Sequence, residues 1–231
     1  MDPAAVGREV ADWVDGWLEA RPIAGLHADF RDRIRVFATA LAAWGAKTNL
    51  TAKPDDPLEI AFHVGDSITA LALARSGNAG ILSGSFDEGK SVLDVGSGAG
   101  FPGLVLAAAT DARFTLVESR QKRASFLRAV SAEMGVRNVR VETRRISPGD
   151  FAGECDGVMT RALGQAEVFF AIAGLALRAG GVAIIYASAA HRIDQDLARR
   201  AGLNEYFRYG FELHRGYDAL QRAILVWRKS P

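Results

Sequence analysis

The sequence predicts an α/β fold with a mostly parallel seven-stranded sheet, an antiparallel C-terminal hairpin and a small N-terminal helical cap. From residue 91 onward, short apolar runs alternate with helical segments, which is the pattern of a doubly wound parallel sheet. Before that residue, apolar side chains recur at helical spacing. Near the end of the chain, two apolar runs follow each other without a helix between them, which predicts a hairpin.

The cap is predicted from three helical segments. Apolar side chains at helical spacing indicate a first helix that ends before Arg21-Pro22, because the residue before a proline disfavours helical geometry. A second helix carries Phe30, Ile34 and Phe37 on one face. Two prolines fall in the segment 49–57, which is therefore predicted as a loop. A third helix is predicted at 58–74.

The sheet is predicted element by element from its apolar runs and the segments between them. Predicted strands are 91–95, 114–117, 139–142, 156–160 and 181–187, with helices at 104–109, 120–134 and 165–177. The C-terminal hairpin is predicted from 204–213 and 223–228. The chain is thus divided into a helical cap at 1–75, a linker at 76–90 and a ligand-binding sheet domain at 91–231.

Composition excludes several classes of protein. The 231 residues include 28 Lys and Arg against 27 Asp and Glu, so any nucleic-acid binding depends on local clusters rather than bulk charge. Cys155 is the only cysteine, which excludes an intramolecular disulfide and a cysteine metal cluster. The four histidines lack metal-ligand spacing. With no apolar run of membrane-spanning length and no signal-peptide pattern, a cytoplasmic location is expected.

A glycine-rich turn after the first strand predicts a nucleoside-containing cofactor. Gly96, Gly98 and Gly100 follow the apolar run, and such glycines let a ligand lie against bare backbone. The next strand ends in Glu118, at the position where a carboxylate binds the ribose hydroxyls of a nucleotide. A dinucleotide loop has the spacing G-x-G-x-x-G, whereas Asp94 here begins the pattern D-x-G-x-G-x-G, typical of class I S-adenosylmethionine methyltransferases. An acid beside the loop also suits a cationic sulfonium cofactor better than a pyrophosphate.

Further motifs in order along the chain resemble one family. They are Asn49-Leu50-Thr51, His63-x-x-Asp66-Ser67, the run from Asp94 to Gly103 with its Gly-x-Gly-x-Gly-Phe-Pro-Gly, Lys122-Arg123-x-x-Phe126-Leu127 and Thr160-Arg161-Ala162. This series resembles the bacterial small-subunit (16S) rRNA guanine-N7 methyltransferases, also called glucose-inhibited division protein B, over about residues 30 to 187. The resemblance implies a Rossmann-like class I methyltransferase fold, S-adenosylmethionine as cofactor and ribosomal RNA or the small ribosomal subunit as partner. No metal or membrane is implied, and a monomer is expected.

The resemblance also implies site residues. Arg161 would be catalytic, at the carboxyl edge of the fourth strand where ligands bind in such sheets. The implied cofactor-binding residues are Asp94, Gly96, Ser97, Gly98, Gly100, Phe101, Glu118, Ser119, Arg145, Ile146 and Arg161. The implied substrate-binding residues are His63, Asp66, Lys122, Arg123 and Arg144. The basic candidates for RNA contact are Lys47, Lys53, Lys122, Arg123, Arg144, Arg145, Arg192 and Arg222.

Each of the main assignments has a structural alternative. The alternative for Asp94 is a cap at the end of the strand, and the alternative for Glu118 is a charge that complements the dipole of the following helix. The alternative for Arg161 is a structural salt bridge with Asp66. The alternative for His63 and Asp66 is a buried polar pair on one face of the third helix. Methylation at guanine N7 uses a free lone pair, so the absence of an obvious catalytic base is consistent with it.

The sequence departs from the family pattern at four places, which keeps other functions open. The family usually has Arg where this chain has Phe62, Glu where it has Ser147 and Glu-Arg where it has Gln221-Arg222. It usually also has a Lys-Gly after the fifth strand, where this chain reads Tyr186-Ala187-Ser188-Ala189-Ala190. Two alternatives therefore stand beside ribosomal RNA methylation. One is a methyltransferase for another RNA or a small molecule, and the other is a non-catalytic module that binds S-adenosylmethionine or RNA.

Overall fold

The N-terminal region forms three helices, as predicted. In this computed structural model, residues 1–45, 48–76, 80–161 and 164–230 are described. The helices are α1 (Pro3–Ala20), α2 (Phe30–Gly45) and α3 (Pro57–Arg75), followed by a short 3-10 turn at Gly80–Leu82. Asp2 and Asp56 begin α1 and α3, since each carboxylate accepts hydrogen bonds from the first backbone N–H groups of its helix. Both helices have proline in the first turn, where no hydrogen-bond donor is needed.

The remaining chain builds one mixed sheet of seven strands with helices on both faces. The strands are β1 (Ser91–Val95), β2 (Arg113–Val117), β3 (Val139–Glu142), β4 (Cys155–Thr160), β5 (Leu177–Ser188), β6 (Leu203–Arg215) and β7 (Asp218–Lys229). The intervening helices are α4 (Gly103–Ala109), α5 (Gln121–Glu133), α6 (Ala166–Ala176) and α7 (Gln195–Arg200). The strand order is β3-β2-β1-β4-β5-β7-β6. Strands β1 to β5 pair in parallel, and β7 pairs antiparallel with both β5 and β6.

The predicted fold class, all seven strands and the antiparallel hairpin are confirmed. The hairpin strands are longer than predicted, because polar residues continue the pairing to the turn between Arg215 and Asp218. Strand β5 likewise begins before the apolar run at 181, directly after α6. Helix α7 was not predicted, because six residues are too few to show a helical period.

Two apolar clusters pack on opposite faces of the sheet. Val92 and Phe114 belong to the cluster that contains the side chains of α1 to α5, whereas Leu93 and Val117 belong to the cluster with α6 and α7. This alternation follows from the two-residue period of a strand. The cap therefore shares one core with the sheet, and the segment before β1 contributes the buried Phe86 to it. As a result α3 lies beside the carboxyl ends of the strands. There its Asp66 contacts Arg161, which follows β4, and Arg222 of β7.

No helix in the described ranges combines the length and apolar character needed to cross a membrane.

Candidate functional site

The glycine-rich turn presents open backbone at the end of β1. Gly96, Gly98 and Gly100 have φ values of 75°, 56° and 101°, a region that L side chains rarely adopt. The N–H groups of Gly96 and Ser97 donate to the carbonyl of Val117 at 2.9 and 3.1 Å, which holds the turn against the end of β2. A Cβ atom added at Gly96 would have no heavy atom within 4 Å, so the turn leaves space for a ligand against its backbone.

Asp94 is fully buried beneath this turn and has one unused oxygen. Its Oδ2 accepts from the N–H of Gly103 at 3.2 Å, so the carboxylate caps the first turn of α4. Its Oδ1 has no hydrogen-bond partner among the described residues. Burial raises the pKa of Asp94 to about 7, because the low-dielectric interior disfavours the charged form. The observed contact of Asp94 is thus with the start of a helix rather than with the end of a strand, and the second oxygen stays available to a cationic ligand group.

Glu118 connects the glycine turn to the start of α5. Its Oε2 accepts from the N–H of Gly98 at 3.0 Å and its Oε1 from the N–H of Arg120 at 2.7 Å. The side chain is only 5% exposed. Each carboxylate oxygen can accept a second hydrogen bond, so the helix-terminus role and ribose binding are compatible.

Replacing Glu118 with alanine is expected to weaken S-adenosylhomocysteine binding by about 1.5–3 kcal/mol, the range for hydrogen bonds to charged groups. Calorimetric titration measures this change, and Glu133→Ala on the exposed face of α5 is the matched control. An unchanged affinity in Glu118→Ala would leave Glu118 with only its contacts to the turn and to α5.

The raised pKa of Asp94 predicts a pH-dependent stability of the ligand-free protein. The native state holds the proton up to about pH 7, whereas the unfolded chain loses it near pH 3.8. The contribution of this group is therefore fully present below pH 3.8 and is lost as the pH rises through 7. The free energy of unfolding of the wild type should fall relative to that of Asp94→Asn over this range, as measured by urea titration at each pH. A constant difference between the two proteins would contradict the raised pKa.

A second group of polar residues lies where β4 ends. Arg161 follows β4, and its Nη2 donates to Nδ1 of His63 at 2.5 Å while its Nε lies 3.3 Å from Oδ2 of Asp66. Arg222 of β7 donates from Nε and Nη2 to the two oxygens of Asp66, both at 2.9 Å. The side chains of Arg161, Arg222 and Asp66 are 18%, 16% and 1% exposed. The salt bridge between Arg161 and Asp66 is thus present, and it is part of a larger network.

His63 is neutral in this network. Its Nδ1 accepts the hydrogen bond from Arg161, and its Nε2 lies 3.4 Å from Oε1 of Glu59. Burial and the charges of Arg161, Arg222 and Arg215 lower the pKa of His63 to about 3. The proton of the neutral ring therefore sits on Nε2, facing Glu59. His63 and Asp66 share a face of α3, but both contact arginines rather than each other.

A cavity of about 520 Å³ opens beside the two arginines. Its lining includes Arg161 and Arg222 together with the last residues of β5, from Ile185 to Ser188, and His191. Tyr186 is buried there and its hydroxyl donates to the carbonyl of Ser67 at 3.0 Å, which joins β5 to α3. The cavity lies at the carboxyl edge of the parallel strands, where ligands bind in this kind of sheet.

Phe101 connects the glycine turn with the arginine network. The guanidinium of Arg161 lies 5.6 Å from the centre of its ring, within the range of a cation–π contact. The rings of His63 and Phe37 meet it edge-on at 5.1 and 5.2 Å. The turn of β1 and the arginine network are therefore neighbours along one sheet edge.

Among the basic candidates, Lys122 and Arg123 differ from Arg144 in their surroundings. Arg123 donates from Nε and Nη2 to the carbonyl of Asn49 at 3.2 and 2.7 Å, and with Lys122 it lines a separate cavity of about 380 Å³. Arg144 is held by Glu142 at 2.8 Å and by Asp150 at 3.3 Å, so its charge is already paired.

The remaining predicted positions differ in exposure. Ser97 is buried with its hydroxyl donating to the carbonyl of Asp94, while Ser119 and Arg145 are exposed. Ile146 is partly buried against the cluster that holds α6. Lys47 and Ala162 lie outside the described residues.

Sequence reasoning did not assign Arg222, Tyr186, Glu59 and Arg215 to the site. Arg222 was named among the general RNA candidates, but its pairing with Asp66 spans 156 positions and leaves no local signal. Glu59 lies one turn before His63 on α3, and this spacing is a signal that could have been used. In the described part of the chain, no group of three His, Cys, Asp or Glu residues is arranged to hold a metal ion.

The fold is shared with known methyltransferases. The chain aligns with a precorrin-6y C5,15-methyltransferase from Geobacter metallireducens at a TM-score of 0.53 and 16% identity, covering 71% of this chain and 87% of that one. It aligns with a SAM-dependent O-methyltransferase from Thermotoga maritima at a TM-score of 0.50 and 16% identity, covering 72% and 65%. At this identity the likeness is one of fold, a Rossmann-like methyltransferase sheet.

Sequence comparison gives the family. A family model described as rRNA small subunit methyltransferase G matches residues 31–208. The chain is 36% identical over 167 residues to a ribosomal RNA small subunit methyltransferase G from Sorangium cellulosum, covering 70% of this chain and 65% of that protein. It is 33% identical over 204 residues to the protein of that name from Anaeromyxobacter, covering 85% and 87%. The alignments with the Sorangium protein and one from Methylobacillus flagellatus span just under two thirds of those relatives. The chain belongs to the rRNA small subunit methyltransferase G family.

Proposed function

We propose that this chain transfers a methyl group from S-adenosylmethionine to N7 of a guanine in the RNA of the small ribosomal subunit. The main support for this proposal is that two groups of polar residues lie along the same edge of the sheet. Open glycine backbone with Asp94 and Glu118 lies on the β1–β2 side, and a buried arginine network with a cavity lies on the β4–β5 side. Phe101 joins them, so a cofactor and an acceptor would meet between them.

The residues of the glycine turn fit the cofactor. S-adenosylmethionine, when bound, supplies an electrophilic methyl group on a sulfonium centre. The unpartnered Oδ1 of Asp94 suits the ammonium group of its methionine part, and the exposed Gly96 gives the backbone approach that such a ligand needs. Glu118 has lone pairs left for ribose hydroxyls at the end of β2. Arg145 and Ile146 after β3 would lie on the adenine side.

The second site suits an acceptor that needs no base. Guanine N7 attacks with a free lone pair, so no proton has to leave before transfer. His63 is accordingly a weak base, because its pKa is lowered to about 3 and its Nδ1 already accepts a hydrogen bond from Arg161. Rate enhancement would come from alignment and exclusion of water, with Arg161 holding the acceptor in place. His63 and Asp66 would act on the substrate indirectly, by fixing the guanidinium of Arg161.

Under this proposal, both main parts of the chain contribute to the site. These parts are a cap at 1–75 and a domain at 91–231, joined by a linker at 76–90. Helix α3 of the cap supplies Asp66 and His63 to a site whose cofactor half belongs to the sheet domain. Lys122 and Arg123 at the start of α5, with a cavity of about 380 Å³ beside them, would contact RNA phosphates. We further propose that the protein is a cytoplasmic monomer.

Methyl transfer to isolated ribosomal subunits tests the proposal. Purified protein with radiolabelled S-adenosylmethionine should label small subunits that lack the modification, and nuclease digestion with chromatography should recover the label as 7-methylguanosine. Transfer should weaken as salt rises, because Lys and Arg that contact phosphates release counterions. Label on large subunits only, or on a small-molecule fraction only, would overturn this assignment. Binding of cofactor without any transfer would instead favour a non-catalytic module.

A further inference from the structure

The arginine network carries more positive charge than its contacting carboxylates balance. Arg161 and Arg222 both contact Asp66, and this carboxylate is the only one in contact with either guanidinium among the described residues. Glu59 is the next acid, but its Oε2 lies 3.2 Å from Arg215 and its Oε1 faces His63. Two cations therefore share one anion.

Because both arginines are mostly buried, the single carboxylate of Asp66 does not balance their charge. The Arg161 and Arg222 side chains are mostly buried, and burial is the main cause that lowers the pKa of Arg161. Charges removed from water need partners, and an unmatched buried cation favours the binding of an anion. His63 contributes no charge, because it is neutral.

Each guanidinium also has a free edge. Arg222 uses Nε and Nη2 for Asp66, and Arg161 uses Nε for Asp66 and Nη2 for His63. In the described ranges, Nη1 of neither arginine has a hydrogen-bond partner. Both residues line the cavity of about 520 Å³. Asp66 thus fixes the two guanidinium groups while leaving one N–H edge of each available to a ligand.

We propose that Nη1 of Arg161 and Nη1 of Arg222 form one oxyanion site in this cavity, which binds a phosphate group of the acceptor nucleotide. The inference rests on the proposed function and adds a specific phosphate contact to it. Guanidinium groups match phosphate geometry and hold it by charge-assisted hydrogen bonds. Asp66 is a positioning residue, because it acts through the arginines.

The strand order favours a phosphate over the carboxylate of the cofactor. Arg222 lies on β7, opposite Ser188 of β5, whereas the glycine turn lies on β1. Three strand spacings separate β1 from β7, which is roughly 14 Å at the usual spacing. A ligand that fills the cavity beside Arg222 also meets the last residues of β5, which lie on the side proposed for the acceptor.

Nucleotide binding to the full chain saturated with S-adenosylhomocysteine tests the site. The probes are guanosine 5′-monophosphate, guanosine 3′-monophosphate and guanosine, titrated by calorimetry. The wild type should bind at least one monophosphate at least about tenfold more tightly than guanosine. Arg222→Gln should remove this preference, and Arg222→Lys should retain part of it. The control is Arg113→Gln, an exposed arginine at the amino end of β2, on the opposite edge of the sheet.

The outcomes separate this site from the other proposals. S-adenosylhomocysteine affinity reports whether each variant is folded, and it should be the same in Arg222→Gln and wild type. A preference for the monophosphates that survives in Arg222→Gln, or is absent from the wild type, overturns the phosphate site. If Arg222→Gln weakens S-adenosylhomocysteine but not methylthioadenosine, which lacks the carboxylate, the anion belongs to the cofactor and the inference is wrong. Loss of ribosomal methyl transfer with the monophosphate preference intact would contradict only the proposed function.

Discussion

Replacing Gly98 with asparagine is expected to abolish S-adenosylhomocysteine binding without unfolding the protein. Gly98 has a φ of 56°, and asparagine is among the few residues that adopt this region with little strain. A Cβ atom added there would be 3.8 Å from its nearest neighbours, so the protein itself has room for the side chain. That room is the space assigned to the cofactor, and overfilling a fitted site costs about 1–3 kcal/mol or more. We expect affinity to fall by at least about 100-fold, which is ~2.8 kcal/mol.

The matched control for this variant is Gly135→Asn. Gly135 has a φ of 68° after the end of α5, and a Cβ atom there would meet nothing within 4 Å. Both variants should keep the circular dichroism spectrum and melting temperature of the wild type within a few degrees, whereas only Gly98→Asn should lose binding in calorimetry. Wild-type affinity in Gly98→Asn would mean that the cofactor does not lie against this turn.

Replacing Arg161 with alanine is expected to reduce methyl transfer far more than stability. The Arg161 guanidinium lies against Phe101, between the glycine turn and the cavity, where it would align the acceptor with the cofactor methyl group. Losing a group that aligns the reacting atoms costs about 10²-fold in rate when they move by about 1 Å. Stability should change less, because Asp66 keeps both of its hydrogen bonds from Arg222 and is not left as an unpaired buried charge.

Transfer rates and melting curves measured on the same Arg161→Ala preparation separate the two roles. Arg178→Ala is the control, since Arg178 is also ion-paired, with Asp156, but lies at the amino end of β5. The catalytic assignment predicts a loss in turnover that is far larger than the loss of stability. A variant that melts much earlier, yet whose folded fraction is fully active, would show that Arg161 is only a structural partner of Asp66.

The glycine-turn half of the candidate site could be predicted because its signals are local. The glycines, Asp94 and Glu118 lie within two strands and one turn, and the strand–turn–helix pattern fixes where they meet. The sequence did not determine which backbone groups the two carboxylates contact. Glu118 binds the N–H groups of both the turn and α5, so the two alternatives weighed for it are compatible.

The acceptor half depends on long-range packing and was predicted only in outline. Arg161 and Asp66 were expected as a possible pair, but Arg222 reaches Asp66 only because β7 inserts between β5 and β6. That insertion reverses the strand direction and brings the amino half of β7 to the carboxyl edge of the parallel strands. No local sequence pattern predicts the contact between Arg222 and Asp66, because it depends on how the C-terminal hairpin pairs with β5.

Mass spectrometry of ribosomal RNA nucleosides from cells with and without this chain tests the proposed methyl transfer. We predict that 7-methylguanosine in small-subunit RNA falls when the chain is removed, that the wild type restores it, and that Arg161→Ala does not. We also predict an unchanged nucleoside profile in large-subunit RNA. Equal 7-methylguanosine in small-subunit RNA from both kinds of cell would contradict the account.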